Sequence, residues 1–120
     1  MAEAPEQFQH KVCDTIRDFA MTFPETTEGT SCVNRAFKAG GKNFVFLGEK
    51  GDQITMRLKL DASIPEIETR AKSDDGYEVG TGGWTKLVFD ASAAPKTKDL
   101  KTWITESFLL LAPKKVAAQL

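Results

Sequence analysis

Residues 53–60, QITMRLKL, limit the possible folds of this chain more than any other stretch. Apolar and polar residues alternate without a break. Ile54, Met56, Leu58 and Leu60 fall on one side, and Gln53, Thr55, Arg57 and Lys59 on the other. Successive strand side chains point to opposite faces, so the segment belongs to a sheet that is dry beneath and wet above. Two further runs precede it, RAFKA (35–39) and NFVFLG (43–48), separated by Gly40-Gly41 and by the turn EKGD. Tight turns between short strands predict a meander of consecutive hairpins. WTKLVFDA (84–91) reads as a fourth strand, with Thr85, Leu87 and Phe89 on one face and Trp84, Lys86 and Val88 on the other.

The remaining segments read as helices and loops. Phe8, Val12, Ile16, Phe19 and Phe23 recur at helical spacing, with Pro5 suited to the first turn and Pro24 ending the run. ETTEGTSCVN then reads as a loop of turn and capping residues. Ser63 and Glu66 have the spacing of a capping box, with Pro65 opening a short helix to about Lys72. SDDGYEVGTGG (73–83) is polar and glycine-rich, and is expected to be the most mobile segment. Leu100, Trp103, Ile104, Phe108 and Leu111 mark a second long amphipathic helix, broken by Pro113 before a last turn through Val116 and Leu120. The order α-β-β-β-α-β-α, with helices segregated onto one face of an antiparallel sheet, is an α+β fold. At 120 residues it forms one domain, residues 1–120, with a single core.

Gly40-Gly41-Lys42 invites comparison with a phosphate-binding loop. That loop needs an earlier glycine, where this chain has Ala36, and a hydroxyl after the lysine, where it has Asn43. It also joins a strand to a helix, whereas these glycines join two strands. The hairpin reading therefore holds, and Lys38 and Lys42 lie on or beside the reversal, available to an anion without enclosing it.

Composition narrows the function classes. Hydrophobic residues at 41% and charged residues at 28% suit a soluble globular protein, and no apolar run is long enough to span a bilayer. The N-terminal MAEAPEQFQH has neither a basic region nor an apolar one, so no signal peptide is expected and the protein is read as cytoplasmic. Cys13 and Cys32 are then expected as free thiols. Net charge is −1, against a strongly basic nucleic-acid protein. The distribution is uneven, however. Residues 35–60 carry Arg35, Lys38, Lys42, Lys50, Arg57 and Lys59 against only Glu49 and Asp52. Such asymmetry can steer an anionic partner to one face.

Catalytic constellations are thin. His10, the single histidine, shares a helix face with Cys13, but two ligands do not make a zinc site. Cys13 is expected to be a buried thiol and His10 a surface residue. Asp14 and Asp18 read as a solvated acidic helix face. No carboxylate pair shows a local sign of a shifted pKa, so the chain is not expected to be an enzyme, and no cofactor or metal is expected.

Several segments together resemble the MmcQ/YjbR-like domains of bacteria: MTFPETTEG, AFKAGGKNFVFL, MRLKL, GWTKLVF and LKTWITESFLLLAPKK, in that order over nearly the whole chain. The resemblance implies a CyaY-like α+β fold. It also implies the "double-wing" arrangement of hairpins for which DNA binding has been proposed. Many members place a histidine or lysine where this chain has Gly83, and basic residues where it has the acidic SDDGYEVG.

The leading expectation is a module that meets DNA or another anionic polymer through Lys38, Lys42, Arg57, Lys59, Trp84 and Lys86. Cations would pair with phosphates and the indole would stack on a base or sugar. The bland counterpart is that Trp84 is packed in the core and the lysines only solvate the sheet. A second functional expectation is a protein- or small-ligand-binding domain, with the loop 74–83 as a flap beside Trp84 and Phe37. Trp103, on the apolar stripe of the last long helix, should stay silent in either case, and the protein is expected to be a monomer.

Overall fold

The computed structural model describes residues 7–31 and 34–120. Pro5 and Cys32, read above as a helix start and a free thiol, lie outside the described residues. A six-stranded antiparallel sheet carries the fold, in the spatial order β1-β2-β3-β4-β6-β5. Strands β1 (Thr26–Ser31), β2 (Asn34–Ala39), β3 (Lys42–Lys50) and β4 (Gln53–Lys59) follow one another as a meander. β6 (Trp84–Asp90) pairs with β4, and the short β5 (Tyr77–Val79) pairs with β6 at the far edge. Helices α1 (Lys11–Ala20), α2 (Ile64–Ala71), α3 (Thr97–Leu111) and α4 (Lys114–Ala117) pack on the sheet. The α+β class is as expected, with a sheet two strands wider.

One core lies between the sheet and the helices. Ile54, Met56, Leu58 and Leu60 are all buried in it, as their alternation requires, and they meet Ile16, Trp103, Ile104 and Phe108. Phe23 stacks on Phe108 at 4.5 Å between ring centroids, and Phe44 meets Phe108 edge-on at 5.5 Å. The register slips between Phe37–Val45 and Lys38–Asn43, leaving Phe44 as an extra residue on β3. Such a bulge turns two successive side chains inward, and both Phe44 and Val45 are fully buried. The buried Ser107 hydroxyl of α3 serves this irregularity. Its Oγ donates to the Phe44 carbonyl at 2.6 Å and accepts the Lys59 N–H at 3.0 Å. Two main-chain groups at the inner surface are thereby satisfied by one side chain.

The Gly40-Gly41 pair forms the expected tight reversal, closed by the Ala39–Lys42 pair. Both glycines have positive φ, 55° and 88°, as a type I′ hairpin turn requires. At Gly40 a Cβ would also come within 2.9 Å of Pro113 and Val116, because the last helix packs beneath the turn.

Four local expectations differ from what the fold contains. The stretch read as a loop, ETTEGTSCVN, holds the edge strand β1. It offers no apolar alternation, because its pairing is with β2 alone and its outer edge needs none. Within 73–83, expected to be mobile, Tyr77–Val79 form β5. Arg70 helps place it, since Nη1 donates to the Tyr77 hydroxyl at 3.2 Å while Nη2 reaches Asp99 at 2.9 Å. The first helix is shorter than its apolar stripe. The Glu49 carboxylate takes the N–H groups of Gln9 and His10, and the Phe23 N–H donates to the Ala20 carbonyl in a tightened last turn. The Ser63–Glu66 capping box does not form. Glu106 of α3 instead accepts from the Asp61 and Ser63 N–H groups and from Ser63 Oγ, the last at 2.7 Å. A carboxylate delivered by packing has taken the position that a local one would fill.

Candidate nucleic-acid interface

No described helix covers the outer face of the sheet, and cross-strand register decides which side chains share it. Phe46 stands opposite Arg57, Arg57 opposite Lys86, and Lys86 opposite Glu78. These four make one straight row across β3, β4, β6 and β5. In the next row towards the end of β4, Lys59 stands opposite Trp84. Although Trp84 and Phe46 lie two strands apart, their ring centroids are 6.1 Å apart at 51°. The indole therefore leans across β4, and the two rings form one aromatic shelf beside Arg57.

Local backbone holds Trp84 in this position. Gly83 has φ 84°, and a Cβ there would collide with the Leu60 carbonyl. That close approach lets the Gly83 carbonyl accept the Leu60 N–H at 2.9 Å, tying the start of β6 to the end of β4. Thr85 is buried and donates to the same carbonyl at 3.1 Å. Trp84, between them, is 36% exposed. The reading of Trp84 as a core residue is thus overturned, whereas Trp103 is buried as expected.

The surface is a shallow depression of about 550 Å³, floored or walled by Phe46, Arg57, Glu78, Gly80, Trp84 and Lys86. A neighbouring hollow of about 490 Å³ shares Asn34, Arg57 and Lys86 with it. By register, Lys38, Lys50, Arg57, Lys59 and Lys86 project on this face against Glu78 and Asp90. The face is thus positive on a chain whose net charge is −1. Among the described residues no carboxylate comes within salt-bridge distance of Arg57, Lys59 or Lys86. Arg57 and Lys86 therefore oppose each other as like charges, an arrangement that costs stability, and Glu78, on the far side of Lys86, makes an ion pair with neither.

Of the residues expected to form the site, Arg57, Lys59, Trp84 and Lys86 come together. Lys38 lies on the same face, on β2 opposite Asn43, towards the same end of the sheet. Lys42 does not. It pairs with the fully buried Ala39, which puts it on the helix-covered side of the hairpin. Phe37, expected beside Trp84 under the flap, is fully buried on that same side. The flap itself is a strand tied into the sheet, with the Gly76 carbonyl accepting the Val88 N–H at 2.8 Å. Phe46, Lys50 and Glu78 were not singled out from the sequence. The apolar run FVFL hides Phe46, because the bulge at Phe44 masks the alternation that would have marked it as outward-facing.

A second polar cluster lies at the start of α1. His10 was expected at the surface. Its ring is instead half-buried, with Nδ1 2.8 Å from Glu49 and Nε2 3.0 Å from Asp52. Hydrogen bonds to Glu49 and then to Asp52 raise its pKa above 6.5. Burial tends to raise the Glu49 pKa, but the Gln9 N–H and the His10 ring and N–H outweigh it and hold the carboxyl below its usual range. Burial, aided by Glu49, pushes the Cys13 thiol up to about 12, so it is an inert core thiol. The cluster anchors a helix start.

No helix among the described residues is long and apolar enough to cross a membrane. Compared with protein-family models, curated proteins and solved structures, the chain matches none.

Proposed function

We propose that this protein is a nucleic-acid-binding module that lays a single strand across the open face of its sheet. One observation carries the reading: the Phe46–Trp84 shelf, with centroids 6.1 Å apart, beside Arg57, Lys59 and Lys86, which make no salt bridge among the described residues. The exposed indole, backed by the half-buried Phe46 ring, offers stacking to an unpaired base, while the cations meet the backbone. A duplex keeps its bases stacked and would leave the shelf unused. The order of segments resembling the MmcQ/YjbR-like domains, for which DNA binding has been proposed, agrees with this reading.

The test is an electrophoretic or anisotropy titration with single-stranded and duplex DNA at two salt concentrations. Three or four phosphate contacts give a log–log salt slope of about −2 to −3 for a single strand. The Lys59→Glu, Lys86→Glu double variant should abolish binding with the fold intact, and unchanged binding in it ends the proposal. The size of the depression, about 550 Å³, supports a second reading, a small-ligand site. Quenching of Trp84 by a small molecule, indifferent to salt, would favour that reading.

A further inference from the structure

We infer that the site distinguishes among bases and favours guanine, through the carboxylate of Glu78. The inference rests on the single-strand reading and adds its specificity.

Glu78 stands directly opposite Lys86 on the uncovered face, yet it makes no ion pair with that lysine. Its carboxylate is exposed and open to a donor from outside the chain. Trp84 sits two residues before Lys86 on the same strand and face, so Glu78 is its diagonal cross-strand neighbour. Such neighbours lie within reach of aromatic and long side chains. The position directly beside Trp84 on this edge is Gly80, whose N–H donates to the Trp84 carbonyl at 2.7 Å. Gly80 has no side chain, and the indole leans the other way, towards Phe46. A gap the width of one side chain is therefore left beside the indole, walled by Glu78 and Lys86.

A base that fills this gap stacks on Trp84 and turns its edge to Glu78, while its phosphate meets Lys86 and Arg57. The chemistry of the four bases then separates them. Guanine presents N1–H and N2–H side by side, two donors for the two oxygens of one carboxylate. Adenine and cytosine each offer one amino group beside a ring nitrogen that repels the second oxygen. Thymine offers one N–H between two carbonyls. A bidentate pair of this kind discriminates by roughly tenfold or more. Glu78 also repels phosphate, which keeps the strand's backbone between Lys86 and Arg57, away from β5.

The experiment is quenching of tryptophan emission in the full chain at one fixed salt concentration. The probes are a thymidine pentamer and the same pentamer with guanine, adenine or cytosine at its centre. The expected result is about tenfold tighter binding of the guanine pentamer than of the others. In Glu78→Gln all four should bind within about twofold of one another, because the paired acceptor that separates guanine from the others is gone. Circular dichroism and the emission of the buried Trp103 verify that the variant is folded. Equal affinities in the unsubstituted protein, or a guanine preference that survives Glu78→Gln, overturn the base-reading role and leave strand binding standing. Failure of every pentamer to bind overturns both.

Discussion

Replacing Arg57 by glutamine should make the protein more stable and a poorer binder at once. Arg57 faces Lys86 directly across β4 and β6 and has Lys59 two residues along on the same face, with no acidic partner at salt-bridge distance among the described residues. Directly opposed Cβ atoms lie about 5 Å apart, and the longer side chains carry their charges to about 7 Å. At that separation the repulsion is roughly 0.6 kcal/mol in water. With Lys59 included, glutamine should stabilise the fold by about 0.5–1 kcal/mol at low salt, or a few degrees in Tm. The gain should vanish near ~1 M salt, where the screening length falls to about 3 Å. Over the same change, single-strand binding should weaken and its salt slope should shrink by about 0.7. Urea titrations at the two salt concentrations, paired with anisotropy, read both quantities. A variant destabilised equally at low and high salt would refute the reasoning. It would mean the arginine is held by packing of its stem on the aromatic shelf, not strained by its charge.

Two further outcomes follow from hydrogen bonds elsewhere in the fold. Ser107→Ala should cost about 1–3 kcal/mol in urea unfolding, because the Phe44 carbonyl and the Lys59 N–H lose their partner inside the core. A loss below about 0.5 kcal/mol would show that neither group depends on the hydroxyl. The His10 cluster should give stability a pH dependence of definite sign. A pKa raised in the folded state means the imidazolium is held more tightly there. Its contribution is full below the unfolded value near 6.5 and is lost as pH rises through the higher folded value. Unfolding titrations across neutral pH should show this decline, and His10→Gln should remove it; a slope that persists in the variant assigns the effect elsewhere.

The strip QITMRLKL was enough to establish a half-dry sheet. Burial of every second residue is a partition between water and core that any strand pairing must satisfy, and Ile54 to Leu60 satisfy it. Gly40-Gly41 likewise announced its turn, since two consecutive positive φ values suit glycine and few other residues. Trp103 and its helical stripe were legible for the same reason. The edge strand β1 was not, because an edge is held by main-chain pairing and needs little apolar signal; β5, whose Tyr77 and Val79 do pack on the core, is only three residues long amid glycines. Glu106 displaced the local cap of α2 only because packing brings α3 against that loop. The row Phe46–Arg57–Lys86–Glu78 joins residues up to forty positions apart, and a slip of one residue in any hairpin would dissolve it. What each residue prefers, core or water, is written along the chain. Which residues stand side by side on the wet face depends on strand order, hairpin length and one bulge, all of which exist only once the sheet has closed.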